Sequence, residues 1–113
     1  MWQSWGYTFL LAAALLAGCA PSGSAPNNTQ EIDRIKDARE QCFMRNVALL
    51  DDGQSDAATI GKALAHACSR DTAALIAIVN PSDPRIHAVL TKNAEDSATQ
   101  LVLLHRRMKK ERR

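Results

Sequence analysis

Three cysteines, three histidines and scattered carboxylates are the side chains here with the chemistry of nucleophiles, metal ligands or acid–base groups. Their spacing decides among those roles. His66, His87 and His105 form no HxxxH or HExxH arrangement, and Cys19, Cys42 and Cys68 lack the spacing of a zinc site. No Gly-rich phosphate loop and no GxSxG element occurs. Asp51, Asp52, Asp71, Glu95 and Asp96 read as helix caps and solvated faces. The sequence thus points to no catalytic residue, no metal, no small-molecule substrate and a non-enzymatic role.

The chemistry that the cysteine spacing does support is a cross-link. Cys42 lies eleven residues before Gly53 and Cys68 fifteen after it. In an antiparallel hairpin turning at Gly53 the two fall on facing sides, offset by about four residues or roughly 6 Å along the axis. A Cys42–Cys68 disulfide is expected, two buried free thiols being the alternative. Closing such a loop stabilises by roughly 3–4 kcal/mol in the chain-entropy model. The spacing rules out a CxxC-type redox pair.

Cys19 is then left over, and its surroundings differ from those of the other two. Phe9 to Ala17 (FLLAAALLA) is an apolar run of nine residues. A membrane-crossing helix needs about 20, so the run is too short to span but has the length of a signal-peptide hydrophobic region. It ends in Leu16-Ala17-Gly18-Cys19, a leucine, two small residues and a thiol. That order resembles the lipobox of bacterial lipoproteins, over the first nineteen residues only. The resemblance implies cleavage before Cys19, with covalent diacylglycerol/acyl lipid on Cys19, the thiol being the nucleophile for the diacylglycerol, and no other cofactor. Small residues let the extended segment enter the peptidase. It further implies the cell envelope as location, and Ala20, where an aspartate would retain an enteric-type lipoprotein, points to the outer membrane facing the periplasm. Met1 to Thr8 departs from the signal-peptide pattern, holding no Lys or Arg. With Cys19 lipidated, the other cysteines make an even pair in a compartment where disulfides persist.

These groups need elements to position them. Residues 1–18 read as the signal peptide and 19–29 as the lipidated cysteine with a flexible tether, since Ala20–Thr29 (APSGSAPNNT) is small, polar and uncharged. Residues 30–113 read as one small helical domain with a basic tail. The expected fold is all-α: a helical hairpin over about 30–50 and 56–79, and a third helix over about 84–110. In the first helix Ile32, Ile35, Ala38, Cys42, Phe43, Val47, Leu49 and Leu50 recur at helical spacing, with Asn28 or Thr29 as N-cap. Asp51-Asp52-Gly53 ends it, and Ser55 is the expected cap of the second. That helix is alanine-rich, shows Ile60, Leu64, Ala67, Cys68, Leu75 and Ile78 on one face, and stops at Asn80-Pro81. The third opens at Asp83-Pro84 and carries Ile86, Val89, Leu90, Leu101 and Leu104, with a polar and weak middle from Thr91 to Gln100. From Cys42 to Cys68, the order of leucine pair, Asp-Asp-Gly, Ser-Asp-Ala-Ala-Thr and alanines resembles small helical bacterial proteins of no assigned activity, which implies a hairpin unit.

The formal net charge of +2 conceals an asymmetry. Six of the fourteen basic residues, Arg106, Arg107, Lys109, Lys110, Arg112 and Arg113, lie beyond His105 against Glu111 alone. Such a cluster suits an anionic surface, at about 1 kcal/mol per cation near acidic lipid, or else is a solvated helix end favoured by the dipole. An envelope location argues against nucleic acid. The expected partners are therefore membrane lipid, and another envelope protein or anionic envelope surface, met by a non-enzymatic interaction or structural module. The alternatives are a small phage- or plasmid-type lipoprotein, such as an outer spanin or an exclusion component, and a periplasmic inhibitor or chaperone-like binder.

Overall fold

The computed structural model describes residues 28–113, so the expected signal peptide, the Leu16–Cys19 motif and the expected tether up to residue 27 lie outside the described residues. Four helices are present: α1 (Asn28–Leu50), α2 (Ala57–Ala67), α3 (Ser69–Val79) and α4 (Pro84–Glu111). No strand occurs among the described residues, and the fold is all-α as expected.

Local chemistry sets most of the boundaries. α1 begins at Asn28, two residues earlier than the sequence suggested. It ends where Asp51 accepts a hydrogen bond from the Gly53 N–H at 3.0 Å, and Asp52 accepts from the N–H groups of Gln54 and Ser55 at 2.9 and 2.8 Å. These side-chain turns compete with the helix for the backbone donors. Gly53 takes φ +71°, the left-handed conformation in which a Cβ is penalised. The cap of α2 is Asp56, which accepts from the Thr59 N–H at 3.0 Å, and not Ser55. Ser55 is held one residue outside by Asp52, to which its hydroxyl donates. Asp83 caps α4 by accepting from the Arg85 N–H at 2.9 Å, with Pro84 in the first turn as anticipated.

The single helix expected over 56–79 is two helices. Cys68 sits between them at φ −106°, ψ 19°. Its N–H still reaches the Leu64 carbonyl, but its own carbonyl accepts from Asp71 three residues on, so the hydrogen-bond register breaks there. Cys68 is also where the chain is bonded to α1. The break redirects α3, which packs chiefly on α1.

Cross-helix pairs give the topology. Arg39 reaches Asn93 and Asp51 reaches Arg106, so α1 and α4 run parallel. Cys42 joins Cys68, and Gly61 lies against Thr99, so α2 runs antiparallel to both. The result is an up-down-up bundle with a broken middle helix. Phe43 and Val47 of α1, Ile60, Leu64, Ala65 and Cys68 around α2, and Ala94, Ala98 and Val102 of α4 form the core.

Two packing expectations are corrected. The polar middle of α4 is no weak stretch, because Ala94 and Ala98 are 2% and 0% exposed and Thr99 lies directly against Gly61 of α2. Small residues four apart admit the neighbouring backbone, so the leucines are displaced to the flanks. Val89 and Leu104 are accordingly 62% and 48% exposed. On α1, Leu49 is 81% exposed, while Arg39 occupies a core position. On α2, Ala67 is exposed.

Candidate functional site at the basic end of the bundle

Cys42 and Cys68 are joined, with an S–S distance of 2.03 Å and a Cα–Cα distance of 6.0 Å. The expected offset along the hairpin does not prevent the bond, and the alternative of two free thiols falls away. The disulfide is thus a structural staple between the α2–α3 junction, midway along the second helical arm, and the middle of α1.

The basic end is the other feature that the sequence singled out, and the structure divides it. Arg106 turns inward. Its Nη2 donates to Asp51 Oδ1 at 2.6 Å and to the Ser55 carbonyl at 2.7 Å, and its Nε lies 3.1 Å from both Asp51 oxygens. The Asp51 side chain is only 4% exposed. Arg106 is therefore removed from the anionic-surface cluster, and Asp51 is a buried ion-pair partner, not a solvated carboxylate. Arg107, Lys109, Lys110, Arg112 and Arg113 remain exposed. Lys109, Lys110 and Arg113 border a shallow groove of about 270 Å³ with Asp51, Gly53 and Arg106. Leu103, Leu104 and Met108 lie on the same end of α4, each between 41% and 53% exposed. The end is therefore cationic and partly apolar.

Electrostatics around the α1–α2 loop follow from its hydrogen bonds. The Arg106 guanidinium, chiefly through its hydrogen bond, holds the Asp51 carboxyl below the usual range, although burial pushes the other way. Asp52 is lowered to about 2 by the Ser55 hydroxyl and then by the backbone N–H groups of Gln54 and Ser55. Asp56 is lowered by Thr59. A carboxyl lowered in the folded state contributes stability above its unfolded pKa, near 3.9, and loses that contribution as pH falls through the folded value. The loop is thus expected to weaken between about pH 4 and pH 2. Arg106→Ala should lower the melting temperature at neutral pH by stranding the Asp51 carboxylate. Thermal denaturation across pH checks this: the gap between variant and wild type should narrow in acid, where Asp51 is protonated. A gap that stays constant down to pH 2 contradicts the ion-pair account.

A second arginine escaped notice altogether. Arg39 is 4% exposed, stands over the Phe43 ring at 5.8 Å, and donates through Nη2 to Asn93 Oδ1 at 3.3 Å. Its Nε and Nη1 have no partner. The signal was present in the series Ile35, Arg39, Phe43, Val47, four apart throughout, which puts the arginine inside the core stripe.

His66 and His87 are exposed and His105 is half-buried. No group of three or more His, Cys, Asp or Glu among the described residues could hold a metal ion. No helix among them is long and apolar enough to cross a membrane. Compared with protein-family models, with curated proteins and with solved structures, the chain finds no match.

Proposed function

We propose that this chain is a lipid-anchored envelope protein, a non-enzymatic module held through Cys19 and presenting the basic end of α4 to an anionic envelope surface. The observation that carries the reading is the cysteine arithmetic. The Cys42–Cys68 disulfide uses two of three cysteines and suits an oxidising compartment. The cysteine left over stands directly behind the Phe9–Ala17 apolar run, in the order Leu-Ala-Gly-Cys.

The topology supports a division of labour between the two ends. α1 has 23 residues, or about 34 Å at 1.5 Å per residue. The parallel pairing of Asp51 with Arg106 puts the basic end of α4 beside the end of α1, away from Asn28, where the chain enters the bundle. A tether leading to Asn28 would therefore hold one pole of the bundle near the membrane and leave the cationic pole free. Five exposed cations against Glu111 supply the attraction.

The decisive experiment is metabolic labelling with a fatty-acid probe in a bacterial host. Wild-type chain is expected to label and to sediment with membranes. Cys19→Ser is expected to lose the label and the membrane association together. Equal labelling of the two would refute the anchor.

A further inference from the structure

At the end of α4 apolar and cationic side chains are interleaved. Leu103 with Arg107, and Leu104 with Met108, are pairs four apart, so they form two neighbouring rows along the helix, all four residues exposed. The inward row is Ala94, Ala98, Val102 and Arg106. Arg107, Lys109, Lys110, Arg112 and Arg113 surround the apolar rows, with Glu111 as the one acidic residue in the stretch. Among the described residues none of these five cations forms an ion pair. The carboxylates of the α1–α2 loop are engaged elsewhere: Asp51 with Arg106, Asp52 with Ser55 and Asp56 with Thr59.

Charge and shape choose what covers such an end. A second copy would set five cations against five. A stable interface with a folded protein takes about 20–30 residues a side, and residues 103–113 offer nine exposed ones on a convex helix end. The adjoining groove is bordered by Lys109, Lys110 and Arg113 and by none of the apolar residues, so it forms no apolar socket for a partner's side chain. An acidic bilayer meets each condition. It is anionic, it moulds to a convex shape, and its acyl region accepts apolar side chains that lie among cations. Arg107, in the same row as Leu103, can run its stem beside the leucine and keep its guanidinium at the level of the headgroups.

We infer that the end of α4 docks on an anionic phospholipid bilayer, with Leu103, Leu104 and Met108 entering below the headgroups and the five cations at the phosphates. The inference rests on the reading that this end faces an anionic envelope surface, and it names that surface as lipid. It does not need the anchor at Cys19.

The test uses the full chain carrying Cys19→Ser, so that no covalent lipid contributes. Vesicles are of phosphatidylcholine alone or of equal parts phosphatidylcholine and phosphatidylglycerol. All forms share residues 1–27, whose contribution cancels in the comparison. Co-sedimentation should favour the acidic vesicles, and that preference should vanish at about 1 M salt, where the screening length is about 3 Å. Replacing the five cations together by Gln should weaken binding by about a hundredfold or more, at about fivefold per cation. Leu103→Ser with Leu104→Ser and Met108→Ser leaves the charges and the buried core untouched. That variant should melt near wild type and bind acidic vesicles about tenfold more weakly. A benzophenone side chain in place of Met108 should crosslink to acyl chains, and one in place of Ala73, exposed on α3, should not. Unchanged binding by the triple serine variant, or crosslinks from position 108 to headgroups alone, would overturn the inference and leave the anionic-surface reading standing. Absence of binding to both kinds of vesicle would overturn it in favour of an acidic protein surface. Equal binding to both kinds, or binding that survives loss of all five cations, would remove the inference and the reading it rests on together.

Discussion

Reduction of the Cys42–Cys68 disulfide should lower the stability of the folded domain by about 3–4 kcal/mol and its melting temperature by roughly 15–25 °C. The sequence separation is 26, which sets the loop entropy that the bond removes from the unfolded chain. The effect is large because the described domain is small, and a single core of this size supplies only a few kcal/mol net. The bond also acts on the folded state. Cys68 is 1% exposed and occupies the residue where α2 gives way to α3, so the cross-link fixes the point about which the second arm bends. Replacement by serine would add an unsatisfied buried hydroxyl, so Cys42→Ala with Cys68→Ala is the cleaner comparison. Thermal denaturation of wild type with and without reductant, beside the double alanine variant, measures the effect. If the reduced wild type and the double variant melted within a few degrees of the oxidised protein, the staple would be ornamental.

What was legible beforehand and what was not divides along local and non-local chemistry. Asp83-Pro84, Asp51-Asp52-Gly53 and the cysteine spacing each carry their meaning within a few residues or a simple hairpin geometry, and each is found as expected in the structure. The break at Cys68 has no proline or glycine to announce it, since the backbone is interrupted at a residue bonded to another helix. The register of α4 was obscured for a different reason. Leucine marks a helix face strongly and alanine weakly, yet here Ala94 and Ala98 face the core, and Leu103 and Leu104 do not. The inward turn of Arg106 depends on a carboxylate 55 residues away, which no local pattern records. The alanine-rich composition of α2 fits a surface for close helix approach. Which residue makes that approach the composition does not tell.

That residue is Gly61, and Gly61→Ala is the substitution expected to harm the bundle most for the fewest atoms added. In an isolated helix the change would be favourable by about 1 kcal/mol, because alanine is the best helix former and glycine among the worst. Here the new Cβ would stand 2.2 Å from Thr99 Oγ1 and 2.8 Å from both the Thr99 Cα and backbone nitrogen. The hydroxyl can rotate away, although it now donates to the Glu95 carbonyl at 2.8 Å. The backbone atoms cannot. α2 and α4 would have to separate by several tenths of an ångström along the interface that holds Ile60, Leu64, Ala98 and Val102. Overpacking of a tight core costs typically 1–3 kcal/mol and at times more. A contact against backbone belongs at the upper end, so after the propensity gain a net loss of about 2 kcal/mol is expected. At about 4–8 °C per kcal/mol, melting should fall by roughly 10–15 °C. Thr99→Ala in the same background tests the mechanism. It removes the 2.2 Å contact and leaves the two at 2.8 Å, so it should recover part of the loss and not all of it. Full recovery would assign the clash to the hydroxyl alone, and no loss in the single variant would mean that α2 and α4 do not meet as closely as Gly61 and Thr99 indicate.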